Sequence, residues 1–199
     1  MLAPYNIDVN RTNEKTLDKL PGELREYRSI DDVVSDEQGE IQYSNEFLNS
    51  LAPAGLPPRN IRLKLGSIVM LLRNLDVANG LCNGTSLIVI HFRHFVLGCK
   101  IASGGRKEKF ALIPRIDSYT DKSVPFWLRR RQFPVRLVFA TTVNKSQGQS
   151  WRSVRVHLLS EVFSHDQLYV ALSWARRRDG VKVYTGSQRV KNIVIKAVL

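Results

Sequence analysis

The stretch from residue 58 to about 116 changes its repeat, and that change constrains the fold more than any other feature of the chain. Ile61, Leu63 and Leu65 alternate with Arg62 and Lys64, the two-residue period of a half-buried strand. Ile68–Leu72 is a continuous apolar run. Asn83-Gly84 separates it from Ser86–Phe92, and Asn-Gly supplies the positive φ angles that a tight hairpin turn needs. Ser103-Gly104-Gly105 stands in the same relation to Phe95–Ile101 and Phe110–Ile113. Several short strands with turn signals between them predict a small β-barrel or meander over residues 58–116.

The flanking segments follow a different pattern. Leu2-Ala3-Pro4 reads as a strand end, and Asn6 as the N-cap of a helix over Ile7–Leu20. Val9, Leu17 and Leu20 share a face of that helix, with Asn13 one turn from Val9 and Leu17. Pro21-Gly22 stops it. Residues 31–40, DDVVSDEQGE, read as an acidic surface loop, and Ser44 as the cap of a short helix over 44–50. Pro53, Gly55, Pro57 and Pro58 then mark a boundary. Past the barrel, residues 117–132, with Arg129-Arg130-Arg131, read as a connector. Val135–Ala140, Ser153–Leu159 and Val181–Tyr184 read as strands, Ser164–Arg178 as a helix, and Asn192–Val198 as β-rich. Such alternation favours an α/β layer with a parallel sheet. The expected architecture is an α/β domain built from residues 1–57 and 117–199, with the barrel of 58–116 inserted.

A length of 199 residues suits one domain with an insertion, and a hydrophobic fraction of 43% supports a packed core. No apolar run reaches the ~18 residues of a membrane-spanning helix, and the N-terminus lacks the charged-then-apolar pattern of a secretory signal. Cys82 and Cys99 are the only cysteines, too few for a disulfide framework, so a reducing compartment is expected; a nuclear location is expected with it. His91-x-x-His94 near Cys99 lacks the four spaced ligands of a zinc site, and no metal site is expected. The net charge of +12 is uneven: residues 1–60 carry 6 Lys/Arg against 11 Asp/Glu, a balance of −5, and residues 61–199 carry 24 against 7, a balance of +17. A basic surface of this size points to nucleic-acid phosphate. A solvated basic face, or one that binds acidic partners, has the same composition.

Two stretches carry chemistry. In SHDQLYVALSWARRRDG (Ser164–Gly180), Ser164 and Gln167 form a capping box, and Asp166 suits the helix dipole. Leu168, Ala171, Leu172 and Ala175 make an apolar stripe. Arg176, Arg177 and Arg178 fall in the last turn, and Gly180 is placed to end the helix. On these residues alone the arginines need do no more than complement the dipole. In FPVRLVFATTVNKSQGQS (Phe133–Ser150), a buried strand runs into a polar turn with Ser146-Gln147-Gly148 at its tip. By itself that is an ordinary polar loop.

Together the two stretches resemble motifs V and VI of superfamily-one DNA helicases, specifically the Pif-one-like family in its Helitron-type branch. QLYVALS (Gln167–Ser173) is similar to the family's "QLYVALSR" up to the last position. Leu2–Glu23 resembles the start of the family's second RecA-like domain, and Leu56–Thr85 its inserted SH3-like β-barrel module. The resemblance implies an ATP-dependent, five-prime to three-prime DNA helicase with roles in recombination, repair and telomere upkeep. It implies that Lys145 and Ser146 contact phosphates of single-stranded DNA, and that Gln147 and Gly148 couple nucleotide state to domain closure. The barrel's Arg62, Lys64, Arg73, Arg106 and Lys107 would help to clamp the strand. The polar turn and the arginine-tipped helix would share one edge of the sheet.

The family's arginine finger reaches the γ-phosphate and is worth ~10³–10⁵ in rate. Trp174 holds that position here, and an indole offers one neutral donor and no charge. Arg177 and Arg178, about one turn (~5 Å) further on, are the possible substitutes. The sequence contains no G-x-x-x-x-G-K-[ST] loop. ATP and magnesium would therefore require a P-loop-bearing first RecA-like domain, in cis in a parent protein, and this chain alone is expected to bind neither tightly nor to hydrolyse ATP. The alternative is a non-enzymatic nucleic-acid-binding module or an inactive transposon-derived remnant.

Overall fold

The computed structural model describes residues 1–34, 44–51, 53, 55–102, 105–120, 126–143, 153–158, 167–173, 175 and 177–185. The first elements are β1 (Leu2–Ala3), α1 (Asn6–Lys19), β2 (Arg25–Arg28), β3 (Ile30–Val34), α2 (Asn45–Ser50) and β4 (Asn60–Leu63). Next come β5 (Ile68–Leu71), β6 (Ser86–Phe92), β7 (Val96–Ile101), β8 (Phe110–Pro114), β9 (Ile116–Tyr119) and β10 (Trp127–Gln132). The last are β11 (Val135–Leu137), β12 (Thr141–Thr142), β13 (Val154–Leu158), α3 (Gln167–Ser173) and β14 (Val181–Thr185).

The chain divides into two compact units, Met1–Asp18 with Phe139–Leu199, and Lys19–Val138. The first is the parallel α/β layer that the alternation predicts. Its sheet has the order β12-β1-β13-β14, and every pairing in it is parallel. Helix α1 starts at Asn6 rather than Ile7, with Tyr5 supplying the first accepting carbonyl to Val9. Its buried residues include Val9, Asn13 and Leu17. Asn13 sits inside because its amide serves Ala140 twice: Nδ2 donates to the carbonyl at 3.3 Å, and Oδ1 accepts from the N–H at 2.7 Å. A side-chain amide thus satisfies both backbone groups of a residue entering β12. Leu2, Val143, Val154, Val156, Leu158 and Ala171 form this unit's main core. On α3 the partly buried side chains packed against it are Leu168 and Val170, whereas Leu172, expected inside, is 38% exposed.

The second unit holds the predicted meander as an antiparallel five-stranded sheet, β11-β5-β6-β7-β8. Ile61 and Leu63 are buried as their alternation predicts, but the strand ends there. Leu65 is 52% exposed, and Lys64–Ser67 closes a tight turn, with the Ser67 N–H donating to Lys64 at 3.0 Å. Gly84 does take a positive φ, +87°, yet β5 and β6 are not joined by a two-residue hairpin. Residues 72–85 fold back on themselves through an Asp76–Leu81 bridge, and Asn83 is held by Asn74 Oδ1 at 2.7 Å. Ser103 and Gly104 lie outside the described residues; Glu108 carries the positive φ (68°) of the β7–β8 turn.

Three expectations about the flanks need correction. Residues 117–132 are not a connector: β9 and β10 lie there, and β10 pairs with both β9 and β3. The acidic stretch is a strand at its start, because Asp31 and Asp32 sit opposite Arg130 and Arg129 in register. The boundaries also differ from 57/58 and 116/117. Strand β2 pairs with β4, and β11 pairs with β5, so residues 19–57 and 117–138 belong with the meander. Of the run Val135–Ala140, read as one strand, only Val135–Leu137 is strand (β11); the division falls after Val138, and β12 starts beyond the run at Thr141. Asn192–Val198 lies outside the described residues.

Arg130 organises this region. It is 1% exposed, and its guanidinium grips Asp31 through Nε at 2.9 Å and Nη2 at 2.6 Å. The remaining donors reach the carbonyls of Pro57 and Leu51, both at 3.2 Å. Leu48, Leu56 and Leu128 pack beside it as a small core. Ser44 caps α2 as expected, accepting from the Phe47 N–H at 3.2 Å. Among the described residues no helix is long and apolar enough to cross a membrane.

Candidate nucleic-acid interface

The predicted basic residues of the meander occupy two places. Arg62, on β4, faces away from Ile61 and Leu63, and its Nε lies 3.5 Å from Glu26 Oε1 across the β2–β4 pair. Lys64 is tied down by donation from Nζ to the Leu20 carbonyl at 2.7 Å. Arg73 and Lys107 are exposed on the 72–85 connection and the β7–β8 turn. Arg106 links those two segments. Its Nη1 donates to Asn79 Oδ1 at 3.5 Å, and its Cδ would stand 3.0 Å from a Cβ placed on Gly80, so a side chain there would displace it. Asp76, on the same connection, has its pKa held down by hydrogen bonds from Asn79, with the Arg106 charge adding to the effect. Arg106 and Lys107 therefore form one exposed basic corner, whereas Arg62 and Lys64 are engaged in holding strands.

Lys145, Ser146, Gln147 and Gly148 lie outside the described residues, as do Ser164, Asp166, Trp174 and Arg176. The helix carrying QLYVALS ends at Ser173 instead of continuing to Arg178. Residues Arg178–Gly180 form a 3-10 turn that leads straight into β14, and Gly180 belongs to that turn rather than capping α3. The crossover sets this geometry: Val181 must start beside Val154, so the chain has to finish its helix and turn first. Arg177 and Arg178 thus lie past the end of α3 and not in its last turn. They precede β14, at the amino-terminal edge of the parallel sheet. Arg177 is exposed and pairs with its near neighbour Asp179 at 3.2 Å.

A second basic site comes from residues that sequence reasoning passed over. Arg25, Arg28, Arg93, His94 and Arg115 line a groove of about 840 Å³ together with Tyr27 and Phe92. On β2 Tyr27 is the buried position, its ring meeting Phe133 edge-on at 5.1 Å, and Arg28, the next residue, faces the other way and is exposed. Arg115, between β8 and β9, lies with its guanidinium carbon 5.1 Å from the Phe133 centroid and 5.7 Å from that of Tyr27. Its Nη1 donates to the Arg28 carbonyl at 2.9 Å, while its Nε is buried with no acceptor among the described residues. Burial lowers the Arg115 pKa, and a guanidinium so far above neutrality stays charged. The alternation of Glu26 and Arg28 about Tyr27 was the available signal for the groove's first wall.

Among the described residues no group of His, Cys, Asp and Glu is placed to hold a metal ion. Cys99 is buried on β7, and burial pushes its thiol pKa up to about 12.

Comparison with known proteins gives a consistent picture. Residues 46–92 match the family described as DNA helicase Pif1, 2B domain. The ATP-dependent DNA helicase PIF1 of Rattus norvegicus is 34% identical over 189 residues, covering 92% of this chain and 26% of its own length. The ATP-dependent DNA helicase Pif1 of Campylobacter jejuni is 43% identical over 198 residues, covering 93% of this chain and 42% of its own. Among solved structures, Pif1 helicase from Candida albicans superposes with a TM-score of 0.75 at 24% identity, over 100% of this chain and 48% of that one. Bacteroides Pif1 bound to ssDNA gives 0.71 at 24% identity, over 99% and 43%. The chain therefore spans less than half the length of each of these relatives.

Proposed function

We propose, on the premise that this chain belongs to the Pif1-like DNA helicase family along nearly all of its length, that it is the carboxyl-terminal portion of an ATP-dependent DNA helicase. In this reading the parallel layer is the second RecA-like domain, and the antiparallel unit carries the SH3-like module that lies against single-stranded DNA. A P-loop-bearing first RecA-like domain supplies the phosphate cradle and the magnesium site, and this chain closes the other side of the nucleotide cleft. Unwinding would run five-prime to three-prime.

The observation that carries this reading is topological. A parallel sheet assembled from the two ends of the chain, with QLYVALS crossing between β13 and β14, encloses an antiparallel unit in sequence. Motor halves of this kind act through the charges and amides that they bring to a partner's nucleotide, not through a site of their own. Lys145, Ser146, Gln147 and Gly148 would serve the strand and the cleft, and Arg73, Arg106 and Lys107 the strand. Arg62 and Lys64, already engaged, would contribute less.

The test uses the pure chain with a fluorescent single-stranded oligodeoxynucleotide. Binding that weakens steeply as salt rises is expected, because each phosphate contact releases counterions. No magnesium-dependent phosphate release from ATP is expected. Release above background would refute the half-motor assignment, and binding indifferent to salt would refute the phosphate contacts. Trp174 favours a second reading, a non-enzymatic DNA-binding module. ATP hydrolysis that stays absent after addition of a Pif1 first RecA-like domain would support that reading.

A further inference from the structure

We propose that the groove between β2, the β6–β7 turn and Arg115 is a phosphate track for single-stranded DNA, separate from the basic corner of Arg106 and Lys107. The proposal rests on the DNA-binding reading above and assigns a further place where the strand is held. Four arginines and His94 line the groove, and the carboxylate there, Glu26, is engaged by Arg62. Arg28 and Arg93 are exposed, and neither guanidinium has a carboxylate partner among the described residues. Among the described residues Arg25 pairs with Glu23, in an exposed contact at 3.0 Å of the kind that contributes little. Like charges gathered without counter-charges cost free energy in the free protein, and a polyanion removes that cost.

Arg115 gives the groove a built floor. Stacking on Tyr27 and Phe133 and donation to the Arg28 carbonyl fix the orientation of its half-exposed guanidinium in the groove lining. A donor held in place loses little entropy when an anionic oxygen arrives. The rim adds a surface for a base: His94 meets Phe95 edge-on at 4.4 Å, and Phe95 is 68% exposed. Guanidinium groups along a groove with an exposed aromatic ring beside them are the combination that tracks a single strand without reading its sequence.

The experiment measures binding of a fluorescent oligo-deoxythymidine to the whole chain across a salt series. Three proteins are compared: the unaltered chain, Arg28→Ala with Arg93→Ala, and a charge-matched control, Arg11→Ala with Lys15→Ala, exposed on α1. The groove pair is expected to lose roughly ten-fold in affinity, and its plot of log K against log salt to flatten by about 1.4, or ~0.7 for each phosphate no longer neutralised. The control is expected to change less than about two-fold. Circular dichroism and the unfolding midpoint check that both variants fold. Equal losses in the two variants would mean that only net charge matters and would overturn the groove; so would a groove variant that binds like the unaltered chain, leaving the DNA-binding reading intact. An unaltered chain that does not bind at all would overturn the DNA-binding reading and this proposal with it.

Discussion

Arg129, Arg130 and Arg131 are one amino acid repeated, and the strand gives them different roles. Arg130 points inward and meets Asp31, with the two side chains 2% and 4% exposed. Arg129 and Arg131 point outward, to Asp32 at 2.8 Å and Asp117 at 3.9 Å. Removing one partner of a buried pair leaves the other charge uncompensated, whereas exposed pairs are screened by water. Arg130→Ala should therefore lower unfolding free energy by about 3–5 kcal/mol in urea titrations, and Arg129→Ala by no more than ~1 kcal/mol. Equal effects would show that burial does not distinguish them. A run of arginines in the sequence says nothing about which will be inside; that choice is made by pairing with a strand about a hundred residues away.

Strand β7 is paired on both sides, to β6 and β8, and its inward positions Leu97, Cys99 and Ile101 are all buried. The thiol of Cys99 is closed off by this arrangement, and its pKa lies at about 12 against an ordinary 9.0. A raised acid pKa means that the neutral form suits the fold, so the associated stability is complete below about pH 9 and is lost as pH climbs towards 12. Iodoacetamide at pH 8 should label the half-buried Cys82 well before Cys99, read by peptide mass spectrometry; comparable rates would contradict the sealed strand. Elements of this kind were legible in advance. The alternation at Ile61 and Leu63, the turn at Gly84, the Ser44 cap and the parallel layer all rest on local pattern, and local pattern survives folding. What was not legible was non-local. DDVV looked like a loop because its acids face arginines far along the chain, and Arg28, Arg93 and Arg115 form a groove only once three separate segments meet.

Across the whole molecule, folding redistributes the charge seen along the sequence. The −5 and +17 of the two sequence segments become equal shares: Lys19–Val138 holds 18 Lys/Arg against 12 Asp/Glu, and the other unit 12 against 6, a balance of +6 each. Glu26 lies opposite Arg62 of β4, and Asp31 and Asp32 lie opposite Arg130 and Arg129 of β10, so these charges are matched before any partner arrives. Each unit also has its own core. Leu128→Ala, at a 0% exposed site beside Leu48 and Leu56, should cost ~2–5 kcal/mol. In hydrogen exchange it should speed amides of β10 and leave those of β13 unchanged, because local openings follow cooperative units. Equal acceleration in both would show a single cooperative block.

The grip of Arg130 on Asp31 and on the Leu51 and Pro57 carbonyls has one more effect. A single side chain anchors the polypeptide on both sides of the stretch that runs from β3 towards β4. Residues added to or deleted from that stretch leave the anchors where they are, so its length can vary without shifting the register of either strand.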